Sequence, residues 1–565
     1  MINKIKQLKC LSMVVVSAIS LAACSNDEPG NSQDAGGETK YLSVQIVPTS
    51  TEGSRSTASF ENGKGKENEV KKVRFYFFTE GGDAVNVKSG KNDNYYDWTN
   101  PTPGAVDGIP NQNVDMAMNA VIVVDTKKGD LLPAMVFAVI NPDEAVLGTS
   151  SYNLTDLRNL YSDYAARATT GSFVMANSVY ANGAEVVKAT KLLITDFKTT
   201  EADATASPVK IYVERNVAKA RASFNPNLSF TNGLLQAKDK DENPITVFGK
   251  DGNPVNVFVK INGWNITTTM PAANLSKHID LTWNNNVLGS NVEWNAPTLF
   301  RSYWASQNAI GGNKHVNISW NAAKSKNFGT DDVVYINENA ERKGDSGLAP
   351  TRIIVGATLC DDKGNPLTVC DYAGLKFVDN ANLESLKNMV LTYLNNNDVT
   401  YYKKTTEAGA TKYTKITPAD ITFKQNTAAS SEKYTVFAIL TEDAGKCEWY
   451  SAKSEEDDIV NPDPTTMTPV PTADLNTRLK DQKTAMVYTD GATYYFAPIK
   501  HYEKDGVVRN HIYNIIVDNF YGLGTPVYDP GEIIDPEKPK SDDAYLAAQI
   551  YILSWRLMTN NVTFD

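Results

Sequence analysis

Residues 544–565 read AYLAAQIYILSWRLMTNNVTFD, a run dense in β-formers: Ile550, Tyr551, Ile552, Leu553, Trp555, Leu557, Val562 and Phe564. Its apolar residues fall on both faces, so as a strand it has to be covered on both. Leu553, Trp555 and Leu557 share one face, and Met558, Val562 and Phe564 the other. Chain ends are ordinarily polar and frayed, so a chain that ends on its most strand-like segment is unusual. Near the other end, residues 41–48 read YLSVQIVP, where Leu42, Val44 and Ile46 alternate with Ser43 and Gln45 in the pattern of a strand with one buried face. One strand stands where a cut could remove it, and the other where it could serve as a replacement.

At 565 residues the chain exceeds what one core usually supports, so two domains are the starting expectation. Aromatic residues make up 10%, with tyrosine dominant, and Gly, Pro, Asn and Thr recur between short apolar runs. That texture is antiparallel β structure. The formal charge of −11 argues against nucleic acid, whose phosphates need a basic face.

Residues 1–23 read as an export signal, with Lys4, Lys6 and Lys9 ahead of an apolar run too short to be a stable membrane span. The run ends in Leu21-Ala22-Ala23-Cys24, similar to a bacterial lipobox, which would make Cys24 the lipidated first residue of an outer-membrane lipoprotein carrying palmitate. Asp27 and Glu28 then resemble a surface-export signal of Bacteroidota lipoproteins. Farther on stand Cys360, Cys370 and Cys447, an odd number with no metal-type CxxC. Cys360 and Cys370 flank a hairpin-like DDKGNP, which leaves a disulfide and free thiols both open.

Residues 25–40 form a polar tether. After residues 41–48 comes a flexible stretch, 49–57, whose one basic residue is Arg55, so a trypsin-like protease would cut there once and leave Ser56 as the new N-terminus. Residues 70–78 (VKKVRFYFF) and 131–140 (LLPAMVFAVI) read as strands, and 155–164 as one helix behind a Thr155 cap. Residues 208–224 form the joint, with one apolar stripe before Arg215 and Asn216 and a second from Val217. A continuous strand there would hold two domains in fixed relation. In the second domain a helix is expected over 382–394, capped by Asn382 and lined by Leu383, Leu386, Val390 and Leu394. The loop 299–305 (LFRSYWA) reads as a cover for sheet faces.

Taken in order, VKKVRFYFF (70–78), VFAVINP (136–142), FVMANS (173–178), VERNVAKA (213–220), VVRNHIYNI (507–515) and the tail with Trp555 resemble the Bacteroidales fimbrillins, the type V pilins. The layout is most similar to the minor fimbrium shaft subunits of that group. The resemblance implies polymerisation by donor-strand exchange: a lipid-anchored precursor, a processing protease, loss of the strand bearing Leu42, Val44 and Ile46, and insertion of a neighbour's C-terminal strand. It also implies identical subunits joined head to tail, anchor and tip proteins, virulence-linked adhesion and biofilm formation, and no cofactor. The receptor stays open.

No catalytic constellation stands out. The chain has four histidines, His278, His315, His501 and His511, and lacks HExxH, GxSxG and the phosphate-loop lysine motif. Residues 239–243, 251–254 and 361–366 read as hairpin turns in preference to calcium loops, since Pro244 stands where glycine is needed. Lys343-Gly-Asp-Ser346 is a short integrin-type match. The expectation is a mainly β structural protein with two transthyretin-like or immunoglobulin-like β-sandwich domains and a few short helices. Its expected layout is signal 1–23, propeptide 24–55, N-terminal domain 56–207, connecting strand 208–216, and C-terminal domain 217–565 with donor strand 544–565. The competing expectations are a monomeric glycan-binding surface lipoprotein and a fimbrial tip adhesin.

Overall fold

Short β-branched and aromatic runs broken by Gly, Pro and Asn make strands of most of the chain's apolar segments. The computed structural model describes residues 39–48, 59–61, 63–87, 93–101, 118–125, 131–290, 294, 301–306, 315–329, 331–340, 349–395, 399–407, 409–426, 434–454, 456–502, 504–534, 546–554 and 556–563. Cys24, Arg55, Ser56, the 343–346 motif, Trp555 and Phe564 lie outside them. The fold is mainly β, as the sequence implies.

In the N-terminal half, β1 (Thr39–Pro48), β2 (Lys72–Phe78), β3 (Tyr95–Thr99), β4 (Met118–Asp125), β5 (Met135–Ile140), β6 (Met175–Asn177), β7 (Phe197–Lys198) and β8 (Val209–Arg215) belong to one nine-stranded sheet. Its main path runs β7-β1-β8-β6-β5-β2-β3, with β4 against the other side of β1. The core takes Val73, Phe75 and Phe77 from β2, Phe137 and Val139 from β5, and Leu42 and Val44 from β1.

The expected single helix over 155–164 is two helices, α1 (Leu154–Asn159) and α2 (Tyr164–Thr169). Asn153, not Thr155, caps the first, accepting from the Asp156 amide at 2.8 Å. Residues 161 and 162 leave the helical path because they pair with Asn274 and Ala273, and Asp163 then caps a fresh helix through the Ala166 amide at 3.0 Å. A third short helix, α3 (Glu201–Ala206), packs across β1, β4 and β7.

The joint is not one continuous strand. β8 ends at Arg215, Asn216 breaks the run, and β9 (Val217–Phe224) enters a different sheet. The break is fixed because the Asn216 amide donates to the Val174 carbonyl at 3.0 Å and its side chain donates to the Leu275 carbonyl at 3.0 Å.

In the C-terminal half, β10 (Phe258–Thr267), β11 (Val334–Asn337), β12 (Arg352–Cys360), β13 (Ala492–Pro498), β14 (His511–Phe520), β15 (Leu546–Ser554) and β16 (Arg556–Thr563) follow in chain order. A six-stranded sheet runs Ser59–Phe60, β15, β16, β14, β9, β11, and a five-stranded sheet contains β10, β12 and β13. Ala220, Ile515 and Val517 of the first share a core with Trp264, Val355 and Tyr495 of the second, the arrangement of a sandwich. Each half contains a parallel pairing with its first strand, β1 with β8 and β9 with β14.

The C-terminal half also carries α4 (Glu384–Leu394), whose Leu386, Val390 and Leu394 are buried with Leu383, as the spacing predicts. Its cap differs from expectation: Leu383 sits in the left-handed region at φ 55°, and Asp379 accepts the Ser385 and Leu386 amides at 3.1 and 2.8 Å. Cys360 and Cys370 are buried free thiols and Cys447 is half-buried and free.

Where the halves meet, buried charges are paired. Lys219 reaches Glu67 at 2.7 Å, Tyr335 donates to the same carboxylate at 2.7 Å, and Arg215 donates to the Glu67 carbonyl at 3.0 Å. Lys277 meets Glu214 at 3.1 Å, and Arg509 grips Glu338 with its Nε at 2.9 Å while donating to the Leu275 carbonyl. Burial opposes the charge on Glu67, yet Lys219 and the hydrogen bonds outweigh it and hold the carboxyl below its ordinary value.

A carboxyl lowered on folding stabilises the protein above its unfolded-state value, and that contribution is lost as pH falls through the folded value. Replacing Lys219 by Met strands the Glu67 carboxylate in the interior. Denaturant unfolding at neutral pH should show a loss of about 3 kcal/mol. That deficit should narrow on acidification, as the abandoned carboxyl takes up a proton.

Candidate functional site

The alternation of Leu42 and Val44 does set one face of β1 into the core, both being 0% exposed, and the Ile46 side chain lies outside what the structure describes. Its setting differs from the edge position that a sandwich short of one edge strand implies, because β1 is hydrogen-bonded along both sides. On one side β4 runs antiparallel, pairing Leu42 with Ile122, Val44 with Ala120 and Ile46 with Met118. On the other, β7 pairs antiparallel with Tyr41 and Leu42, and β8 runs parallel, pairing Val44 with Val209, Ile46 with Ile211 and Pro48 with Val213.

Two walls and a floor therefore surround one strand. Met118, Ile122, Ile211 and Val213 are fully buried against it. Among the described residues, β4 pairs with no strand but β1. Taking β1 away would leave β4 without its partner and expose two facing rows of N–H and C=O groups above an apolar trough.

The outer face is covered as well. Ser43 is 1% exposed, on the face opposite Leu42 and Val44. The buried Ala204 of α3 stands outside the core cluster that holds those two residues, which places α3 over the Ser43 side. The sequence reading missed both β4 and α3. The alternation of Met118, Ala120, Ile122 and Val124 was the available signal for β4.

The tail lies in the chain's own second sheet. β16 runs parallel to β14, pairing Leu557 with Ile512, Met558 with Tyr513 and Val562 with Val517, and β15 runs antiparallel to both. Leu553 of β15 pairs with Leu557 of β16. Ser59 and Phe60 pair with Leu557 and Arg556, so the chain just beyond the expected cut meets the tail.

Elsewhere, chemistry-bearing side chains are engaged structurally. His511 bonds with Ser302 at 2.8 Å and the Arg509 carbonyl at 2.7 Å, and Tyr303 and Trp304 of the aromatic loop are fully buried. Asp239 accepts the Asp241 and Asn243 amides at 2.9 and 2.8 Å, and Asp361 accepts those of Lys363 and Asn365, which makes both carboxylates part of their turns. Among the described residues, no group of three or more His, Cys, Asp or Glu could hold a metal ion, and no helix is long and apolar enough to cross a membrane. Burial raises the Cys360 thiol to about 11 and pushes Cys370 higher still, so neither is a ready nucleophile.

Leu42→Ala should lower the stability of the uncut chain by about 3 kcal/mol, the cost of a leucine-sized cavity in a packed core. Denaturant unfolding of the intact chain and of the variant checks this.

Residues 486–561 match the family model for the major fimbrial subunit protein type IV, fimbrillin, C-terminal region. Among solved structures, a fimbrilin from Porphyromonas gingivalis W83 is similar at 11% identity and a TM-score of 0.36, covering 91% of this chain and 98% of that one. The tip fimbrial protein Mfa3 from Porphyromonas gingivalis, with a C-terminal truncation, is similar at 10% identity and a TM-score of 0.26, covering 91% and 100%. No curated protein matches. The family-model match bears out the resemblance to the fimbrillins read from the sequence, and it lies in the segment holding β13, β14 and the tail strands.

Proposed function

We propose that the chain is a structural subunit of a surface fimbrium, in its shaft, that assembles by exchanging one strand. It is exported as a lipoprotein through Cys24, cut after Arg55 so that Ser56 becomes the N-terminus, and loses β1. A neighbouring copy then supplies its C-terminal segment, 544–565, to the vacated slot. The observation that carries this reading is the double pairing of β1, a strand whose removal leaves a trough bounded by β4 and β8.

Energetics favour such a join. Burying three alternating aliphatic side chains at about 2 kcal/mol each, with ladder bonds on both sides, gives a contact strong enough for a fibre. The uncut chain is held back because Leu42 and Val44 already occupy the place. Donor and acceptor are different surfaces, so copies join head to tail into an open filament. Lipid anchoring, a processing protease, and anchor and tip subunits belong to the same proposal.

A glycan-binding monomer has less support. The cleft of about 1010 Å³ lined by Glu80, Arg158, Lys188, His278 and Asp280 has no Phe, Tyr or Trp among the described residues of its wall, whereas small-molecule sites favour them. Tyr303 and Trp304, the described aromatic residues of the loop that could have offered a platform, are buried.

Deleting residues 544–565 should abolish heat-sensitive high-mass ladders on denaturing gels while circular dichroism still reports a folded monomer. Ladders of ordinary length from that variant would overturn the reading. Arg55→Ala should leave the surface protein with an N-terminus ahead of Ser56, as read by N-terminal sequencing.

A further inference from the structure

The beginning of the tail repeats the strand it is proposed to replace. Residues 545–550 read Tyr-Leu-Ala-Ala-Gln-Ile, and residues 41–46 read Tyr-Leu-Ser-Val-Gln-Ile. Tyrosine, leucine, glutamine and isoleucine recur at the same spacing, and the remaining positions carry alanine for serine and alanine for valine.

Resting on the strand-exchange reading, we propose that residues 545–550 enter the slot of the next copy in one register, with Leu546 in the place of Leu42, Ala547 of Ser43, Ala548 of Val44, Gln549 of Gln45 and Ile550 of Ile46. The slot's own geometry selects this window. The places of Leu42 and Val44 are sealed, and that of Ile46 is set opposite Ile211 and Met118. At Ser43, 1% exposed beneath α3, there is room for a small residue alone. The Ser43 hydroxyl has no hydrogen-bond partner among the described residues, so alanine there loses nothing.

Other windows of the tail fail one of these conditions. Starting at Ile550 places Tyr551 under α3. Starting at Leu553 forces Trp555 into the valine-sized place between Ala120 and Val209. Starting at Met558 buries Asn560 where no polar partner waits. Leu553, Trp555, Leu557, Met558, Val562 and Phe564 then continue the strand beyond the slot.

The same residues are engaged in the uncut chain, where Leu546 pairs with Phe520 and Ala547 with Asn519 of β14. They have to leave that sheet before they can be donated, so one segment serves two alternative ladders.

Cross-linking tests the register. Leu546→Cys combined with Ile122→Cys, the position that faces Leu42, places two thiols at directly opposed sites on antiparallel strands, within disulfide reach. After cleavage, non-reducing gels should show covalent ladders that reducing agent dissolves. Ala548→Cys with Ile122→Cys, out of register, should give none. Fibres that assemble without a link between 546 and 122, or that link in the control pair, overturn the register and leave strand exchange standing. Absence of ladders from the unmodified chain after cleavage overturns strand exchange and this inference together.

Synthetic peptides, added to the full chain during cleavage, give a readout free of substitutions. The peptide for 545–552 should suppress ladders and the one for 553–564 should not; the opposite result would overturn the assignment. Ala548→Val restores the methyl groups that Val44 carries and should slow disassembly about tenfold.

Discussion

The parallel ladder between β1 and β8, with β4 closing the other side, governs how the N-terminal half holds together. An edge strand contributes one row of hydrogen bonds, whereas β1 contributes two and fills the core between them. Its loss detaches β4 and opens the apolar interior, a state that water disfavours and that any strand of matching pattern relieves. A small residue under α3 adds a shape requirement to the hydrophobic one. The position is therefore demanding in both pattern and shape.

Fixing the two halves against each other is the second constraint. Asn216 alone separates β8 from β9, and the pairs Lys219–Glu67, Lys277–Glu214 and Arg509–Glu338 surround that crossing. Each is buried, so its desolvation cost is offset only while both partners stay in place. Such pairs specify one arrangement of the halves more than they add stability.

Much of this was legible in the chain because the signals were local. Alternation gave β1, the apolar run at 135–140 gave β5, the change of stripe at residues 215–217 marked the joint but not the break in the strand there, and Asp-Asn spacing gave the hairpin turns. Other features depended on partners far along the chain. The helix after Asn153 is interrupted because residues 161 and 162 pair with 274 and 273, which no spacing rule near them announces. The α4 cap comes from Asp379, upstream of the Asn382 that propensity favours. Glu67, Glu214, Lys277 and Arg509 read as surface residues in isolation, since charges are rarely buried unless paired. The doubly paired setting of β1 required β4 and β8 to be placed in space. Alternation predicts a buried face, and it is silent on how many neighbours a strand has.

The one-residue crossing between β8 and β9 also decides how tension travels. A pull carried along the chain through Asn216 meets a parallel ladder on either side, β1 with β8 and β9 with β14, and bonds of a ladder loaded along its strands are sheared together rather than unzipped in turn. Resistance to rupture under load is set by the rate of forced opening and not by equilibrium stability. A chain wired this way would resist stretching at its waist through many backbone bonds at once.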